Sequence, residues 1–518
     1  MSWWWLLFGP LLVVIGAELI KDLIAYLRVL KYKAQGFQHR YHFFFGKLLL
    51  GTKGVPKFPE ISMNWKKALS EAGSKPGLVI NSFPRGRALI YLTDPTLVHE
   101  FLLKDHLVSK KHEADRTKNH YNETFPFKLG PEADHPRDRF FEIFRRGSVE
   151  KVVADFAQDI KDHIASLETE AKQAKTEAQG PLIINWKSGT RRLLHTITNT
   201  VFFGRSNKII TVESQGNKPF VEAVLQYLEG PFLATMNNGL NQMFFKLPEK
   251  LNLLKSGREA TQMRSVLVSM LRTEFLRRKN DPKHVPSWNL IDLKIAATPS
   301  TDPVSVETAV EQIFEEICMY AISGMNTTST SLDGMVYEMG SRPDCANKLY
   351  SELVNHGLGR ESTTPITLDT LDSLKYLSAF FKESQRYLQI FSDSFERLIT
   401  EDFSLGKYRI SKDDLIVIPY TYHFFVEEYW GNPLQFDPER FANGHPKNVP
   451  PMAFIPFSAG KRMCIGRTVA EAVIKMFLIE LLQKYKLSPP EGQPLSPFVI
   501  GSGRYTREHC TFVCEART

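Results

Sequence analysis

Pro456-Phe457-Ser458-Ala459-Gly460-Lys461-Arg462-Met463-Cys464-Ile465-Gly466 runs straight into an apolar helical pattern, and this stretch decides how the chain is read. Gly460 and Gly466 permit backbone conformations that side-chain-bearing residues resist, so a tight turn can bring N–H groups up to the Cys464 sulfur. From Thr468 to Tyr485, Val469, Val473, Met476, Phe477, Ile479, Leu481 and Leu482 recur at helical spacing. That helix starts beside Cys464, and its positive end favours a thiolate over a thiol. Arg462, two residues before the sulfur, carries a planar cation able to fork onto a carboxylate. A cysteine packed as a small hydrophobe in a core loop is the other reading of these residues.

The stretch resembles F-x-x-G-x-R-x-C-x-G, the cysteine loop of the cytochrome P-450 family. The resemblance implies that Cys464 is the axial thiolate of haem b (iron protoporphyrin IX), with Arg462 on a propionate and Phe457, Gly460 and Gly466 shaping the loop. Two more segments extend it. Phe381-Lys382-Glu383-Ser384-Gln385-Arg386 follows a helical pattern that puts Glu383 and Arg386 on one face, and it is similar to the family's E-x-x-R pair. Asp437-Pro438-Glu439-Arg440-Phe441 is similar to its P-x-R-F segment, which makes Arg440 the third member of a supporting triad. The order and separations agree with the family from about residue 300 to residue 466.

A long helical pattern runs from Val304 to about Met339, with Gly324 inside it. A glycine there costs roughly 1 kcal/mol relative to alanine, so a close approach is expected. Thr327, three residues on, can turn its hydroxyl into the helix and open a groove. Ala321-Ile322-Ser323-Gly324-Met325-Asn326-Thr327-Thr328 resembles the family's oxygen-binding motif, which implies Thr327 as the proton-delivering alcohol beside Asn326 and Gly324. Two positions depart from that pattern: Ser323 replaces a small apolar residue, and Asn326 replaces an acid. An amide orients water but does not shuttle protons as a carboxylate does. A kinked core helix packed tightly at Gly324 is the plainer alternative. The resemblance also implies propionate contacts from Arg397, Arg139 and His135, and substrate walls that include Phe125, Phe127, Met319, Phe391 and Ile500.

With 518 residues, 43% of them hydrophobic, the chain can bury a large core. A net charge of +8 suits an acidic partner or an anionic membrane surface, and is too dilute for nucleic-acid binding. The five cysteines are odd in number and widely spaced, which argues against a disulfide framework or a zinc ribbon and favours a reducing compartment. Ser2 to Ala17 is uncharged and rich in Trp and Leu, needing Leu19 to Leu27 to complete a membrane span. Lys21, Arg28, Lys31, Lys33 and Arg40 follow, which places the body on the cytosolic side. A cleaved signal peptide is the rival, although its basic leading region is absent. Phe43-Phe44-Phe45 with Leu48-Leu49-Leu50 fits either a headgroup contact or the first buried element. The expectation is an anchor and basic linker over residues 1–50 in the endoplasmic reticulum membrane, and one cytosolic catalytic domain over residues 51–518.

Leu78 to Asn81 and Ala88 to Leu92 are expected to form a hairpin, and Asp94-Pro95 to cap a helix. Phe140 to Ile164 and Arg258 to Arg278 are helical by period, while Phe220 to Leu254 is apolar and broken by Gly230-Pro231. Many helices and few short strands give a mainly α fold with small β-sheets (α+β), and the resemblance makes it a single large haem-thiolate monooxygenase fold. It implies insertion of one oxygen atom from O2 into a hydrophobic small molecule, with electrons from NADPH through a flavoprotein reductase. Lys461, Arg467 and Lys475 would meet the acidic surface of that reductase. The Asn326 departure keeps open a reductase-independent isomerase or dehydratase acting on a lipid peroxide, and a haem sensor or carrier is the third reading.

Overall fold

The computed structural model describes residues 26–40, 77–82, 87–104, 108–109, 142–173, 182–205, 211–212, 218–237, 255–299, 302–491, 498–501, 504–507 and 510–517. Residues 361, 392 and 395 are excepted, and a few helical positions before Tyr26 are added. Phe125, Phe127, His135 and Arg139 lie outside the described residues, as does most of the uncharged amino-terminal run.

Helices dominate, and the strands are short. Gly77–Ser82 and Arg87–Leu92 pair antiparallel, with Val79 opposite Ile90. Leu415–Val417 continues the sheet parallel to the second strand, and Arg397–Ile399 and Val108–Ser109 complete that side. Asp94 ends the hairpin and starts the helix Pro95–Leu103, its carboxylate accepting from Thr96 N at 2.8 Å. Gln38–Arg40 adds a parallel strand on the other edge. The segment before it is bound to the sheet by Asp414, which accepts from Arg28 at 2.7 Å, Tyr32 at 2.8 Å and Ala88 N at 3.0 Å. Leu19, Ile20, Leu23, Ile24 and Leu27 precede it and are exposed. Among the described residues no helix is long and apolar enough to cross a membrane.

Among the described residues the two largest cores are one between helices and a smaller one under the sheet. Phe391 packs against both, Phe457 and Ile465 against the first, and Ala459 against the second. The cysteine loop therefore lies on the seam between them. The helix Phe220–Asn237 passes through Gly230-Pro231, where a break was expected. Phe220, Val221, Val224, Leu225, Tyr227 and Leu228 are all 3% exposed or less, and their burial outweighs the roughly 3 kcal/mol of an interior proline.

Three pieces make the long helix: Pro303–Tyr320, a single π-helical stretch Ala321–Met325, and Asn326–Gly340. Asp302 caps its start on Ser305 N at 2.9 Å. Farther along, Asp333 is buried and accepts from Thr190 Oγ1, with its main-chain oxygen taking the Cys510 thiol at 3.3 Å. Burial pushes its carboxyl up to about 7, against the pull of Thr190 and Lys187.

The folded state thus holds the Asp333 proton where the unfolded chain releases it, so this group destabilises progressively as pH rises from about 4 to about 7. Asp333→Asn should remove that component. Chemical denaturation at pH 5 and pH 8 should find the variant gaining on the parent at pH 8, by roughly 1 kcal/mol or more. An equal difference at both pH values would contradict the buried neutral acid.

Candidate active site around Cys464

Cys464 is fixed by its own loop. Its N–H donates to Phe457 O at 2.8 Å, Met463 N to Gly460 O at 3.1 Å, and Ser458 N to Ile455 O at 2.8 Å. Gly460 has φ +71°, and a Cβ there would stand 3.3 Å from Leu102 O, so glycine is required. Gly466 differs from expectation: its φ is −83°, and nothing lies within 4 Å of the Cβ it lacks. Its place is the N-cap of the helix Arg467–Lys484, which begins three residues after the sulfur. Ser458 instead takes the second positive φ of the loop, +60°, which no sequence signal marked.

The sulfur lies on the wall of a cavity of about 790 Å³ that is largely charged, with Arg145, Arg146, Asp372, Lys375, Lys382 and Glu471 beside Phe144 and Thr468. Arg397, in the strand Arg397–Ile399, is 7% exposed. The Tyr420 hydroxyl bonds to Ser458 and lies within electrostatic reach of Arg397 and Cys464, which unites the strand arginine and the thiol in one site. Arg462 ends the short 3-10 turn Gly460–Arg462 and is half-buried. A single accessible sulfur at a helix N-terminus, a loop position that tolerates no Cβ, and two nearby arginines suit a haem with its two acid groups. The residues fit that group.

Beneath the loop lies the Glu383–Arg386 pair, both side chains 0% exposed. They bond twice, at 2.7 and 2.8 Å, and Asp437 N donates to Glu383 Oε1 at 2.9 Å. Arg386 also donates to Phe424 O at 3.0 Å, Pro433 O at 2.8 Å and Gln435 O at 3.2 Å. Burial pushes the Glu383 carboxyl up, and Arg386 counters that shift. Arg440 completes the triad at 3.6 Å from Glu383 and donates to Trp430 O and Asn432 O. Together these bonds pin the segment 424–440, which leads into the cysteine loop.

The π-helical stretch Ala321–Met325 follows Tyr320, which lies within electrostatic reach of Cys464. A Cβ on Gly324 would stand 3.1 Å from the Tyr320 ring, so the close approach is to a side chain of the same helix. Tyr320 stacks on Phe144 at 5.7 Å, meets Phe202 edge-on, and lies within electrostatic reach of Cys464. Thr327 turns its hydroxyl inward onto Ser323 O at 2.5 Å, and Asn326 is half-buried beside it. Tyr320 and Phe144 were missed in the sequence; an aromatic four residues before the helical glycine was the available signal. Met319 and Phe391 are half-buried against the core, and Ile500 lies in the strand Phe498–Gly501.

Lys475 is not a docking cation. It is 1% exposed, pairs with Glu471 at 2.8 Å and donates to Ser378 at 3.0 Å. Lys461 and Arg467 are exposed, and the Arg467 guanidinium lies 5.7 Å from the centre of the Phe457 ring, which itself stacks on Phe381.

A family model described as cytochrome P-450 matches residues 42–506. Over 215 residues the chain is 33% identical to mouse (Mus musculus) cytochrome P-450 4V2, covering 39% of this chain and 39% of that protein. The human (Homo sapiens) protein of the same name is 32% identical over 204 residues, 37% of this chain and 38% of the other. A fish relative, cytochrome P-450 3A56 of Fundulus heteroclitus, is 24% identical over 466 residues, covering 86% of this chain and 85% of that protein. The first two matches thus span under half of those relatives.

Removing Arg386 leaves the Glu383 carboxylate buried beside Arg440 alone, a loss of about 3–5 kcal/mol. Arg386→Ala should therefore yield little folded protein and a low haem-to-chain ratio by absorbance. Normal haem loading would reduce the pair to an ordinary contact.

Proposed function

The chain belongs to the cytochrome P-450 family, and from that premise we propose that it is a haem-thiolate monooxygenase acting on a hydrophobic small molecule. Electrons would come from NADPH through a flavoprotein reductase, and O2 would supply the inserted atom. The observation that carries this reading is Cys464 itself, exposed beside a helix N-terminus in a loop closed by its own main-chain bonds, with Arg397 and Cys464 both within electrostatic reach of Tyr420. Bound at Cys464, haem would supply the oxygen-activating chemistry, its iron made electron-rich by the thiolate.

The chain does the rest. The N-terminus of the helix Arg467–Lys484 stands beside Cys464, while Arg462 and Arg397 would hold the two acid groups. Thr327 parks its proton on Ser323 O, at 2.5 Å. Water held by the Asn326 amide can draw that hydroxyl back and pass the proton on, more slowly than an acid would. Met319 and Phe391 offer apolar surface where the two cores meet. Phe125, Phe127, His135, Arg139 and Ile500 complete the set of proposed contacts.

We take residues 1–50 as membrane anchor and linker and residues 51–518 as the catalytic domain, on the cytosolic face of the endoplasmic reticulum, with Arg28 to Arg40 of the linker packed on the sheet of that domain. The exposed apolar side chains Leu19, Ile20, Leu23, Ile24 and Leu27 support contact with lipid.

With reductase present, substrate should stimulate NADPH consumption. Thr327→Ala should divert a several-fold larger share of electrons to hydrogen peroxide, and Asn326→Asp should preserve or improve coupling. The absence of the acid favours one rival, an isomerase working on a lipid peroxide. Fast hydroperoxide conversion without NADPH, indifferent to Thr327→Ala, would install it instead.

A further inference from the structure

The cavity beside Cys464 carries charge that the haem reading does not use. Arg397 and Arg462, assigned above to the haem's acid groups, do not line it, and neither does Thr327. Its cations are set out by two helices. Lys375, Ser378 and Lys382 share one face of Lys375–Leu388, and Arg467, Glu471 and Lys475 share one face of Arg467–Lys484. Lys475 donates to Ser378 at 3.0 Å and ties the two faces together.

Most of the cations on this lining are already matched. Arg145 pairs with Glu142 at 2.8 Å, and Arg146 with Asp372 at 2.7 Å and Asp369 at 2.6 Å. Glu471 is shared, by Lys475 at 2.8 Å and by Arg467 at 3.8 Å. Lys375 and Lys382 remain, and among the described residues neither has an ion-pair partner. Lys375 is exposed and Lys382 half-buried. Burial pushes the Lys382 pKa down; Glu471 opposes that shift, while Lys475, Arg467 and Lys375 add to it. A half-buried ammonium among three like charges is best matched by an anion from outside the chain.

The donors indicate the class of that anion. Two ammonium groups act as point charges, and Arg467 adds a planar fork whose only carboxylate stands 3.8 Å away. One carboxylate would satisfy one of the three, whereas a multiply charged phosphate group can meet them all. The cavity, at about 790 Å³, lies in the size range of small-ligand sites. We propose that it binds a diphosphate group, with Lys375 and Lys382 as charge partners and Arg467 as the fork. The proposal goes beyond the monooxygenase reading and does not rest on it. Cys464 lines the same cavity, so the bound charge would act beside the sulfur.

Calorimetric titration tests this. Inorganic diphosphate and adenosine diphosphate are added to the detergent-solubilised holoprotein, with ionic strength held constant by sodium chloride. At least one should saturate a single site with a dissociation constant below about 1 mM. Tighter binding of adenosine diphosphate would assign the site to a nucleotide, and equal or weaker binding to the bare diphosphate; either upholds the proposal. Lys375→Gln and Lys382→Gln should each weaken binding about tenfold or more. Lys407→Gln, at an exposed lysine outside the cavity lining, should leave it unchanged. Chemical denaturation of the same proteins separates binding from folding. Lys382→Gln removes an unmatched ammonium, so it should be at least as stable as the parent, and diphosphate should stabilise the parent far more than the variant. No saturable binding, an equal loss in Lys407→Gln, affinity untouched by Lys382→Gln, or a Lys382→Gln protein less stable than the parent would overturn the proposal.

Discussion

Arg386 is the constraint on which the site depends. A guanidinium with no solvent exposure survives only if its donors are bonded, and the Glu383 carboxylate with three main-chain oxygens does this. Those oxygens belong to Phe424, Pro433 and Gln435, in a segment with little regular structure of its own. Irregular backbone that must hold a ligand loop to a fraction of an ångström needs such an anchor. The aromatic cluster of Trp430, Phe441 and Phe454 packs the same segment from another side. Charge and packing thus serve one end, the placement of Phe457 to Gly466.

The long helix also gives up regularity. Its π-helical stretch coincides with Ser323, Gly324 and the turn leading to Thr327, where side-chain hydroxyls bond main-chain oxygens. Ser329, Thr330 and Ser331 bond back in the same way farther along. Such back-bonding weakens a helix slightly and widens its groove. The π-helical stretch is thus irregular backbone held by side-chain hydroxyls, while the cysteine loop is irregular backbone held by its own main-chain bonds.

Much of this was legible in the sequence. The cysteine loop, Glu383 with Arg386, the Asp94-Pro95 cap and the long helix through Gly324 all rest on short-range patterns whose chemistry is local. What was misread depends on the tertiary environment. Lys475 resembles a surface cation, yet Ile474, Met476 and the residues around them are buried, and a helix closed on nearly every side has no free face for it. Gly230-Pro231 looks like a stop, but six buried side chains carry the helix past it. Arg28, read as a basic flank of the amino-terminal apolar run, is also held by Asp414 in the sheet, a partner 386 residues away that no local pattern marks. The positive φ of Ser458 and the packing of Tyr320 under Gly324 arise from contacts between distant segments, which no local pattern encodes.

The central claim is that Cys464, as thiolate, is the protein's ligand to haem iron. The direct measurement is the carbon monoxide difference spectrum of the reduced protein, compared between the parent and Cys464→Ser at equal haem content. The thiolate is the electronic cause of the long-wavelength Soret band, so the parent should show that band and the variant should lose it. A band that persists unchanged in Cys464→Ser would contradict the assignment and the account built on it.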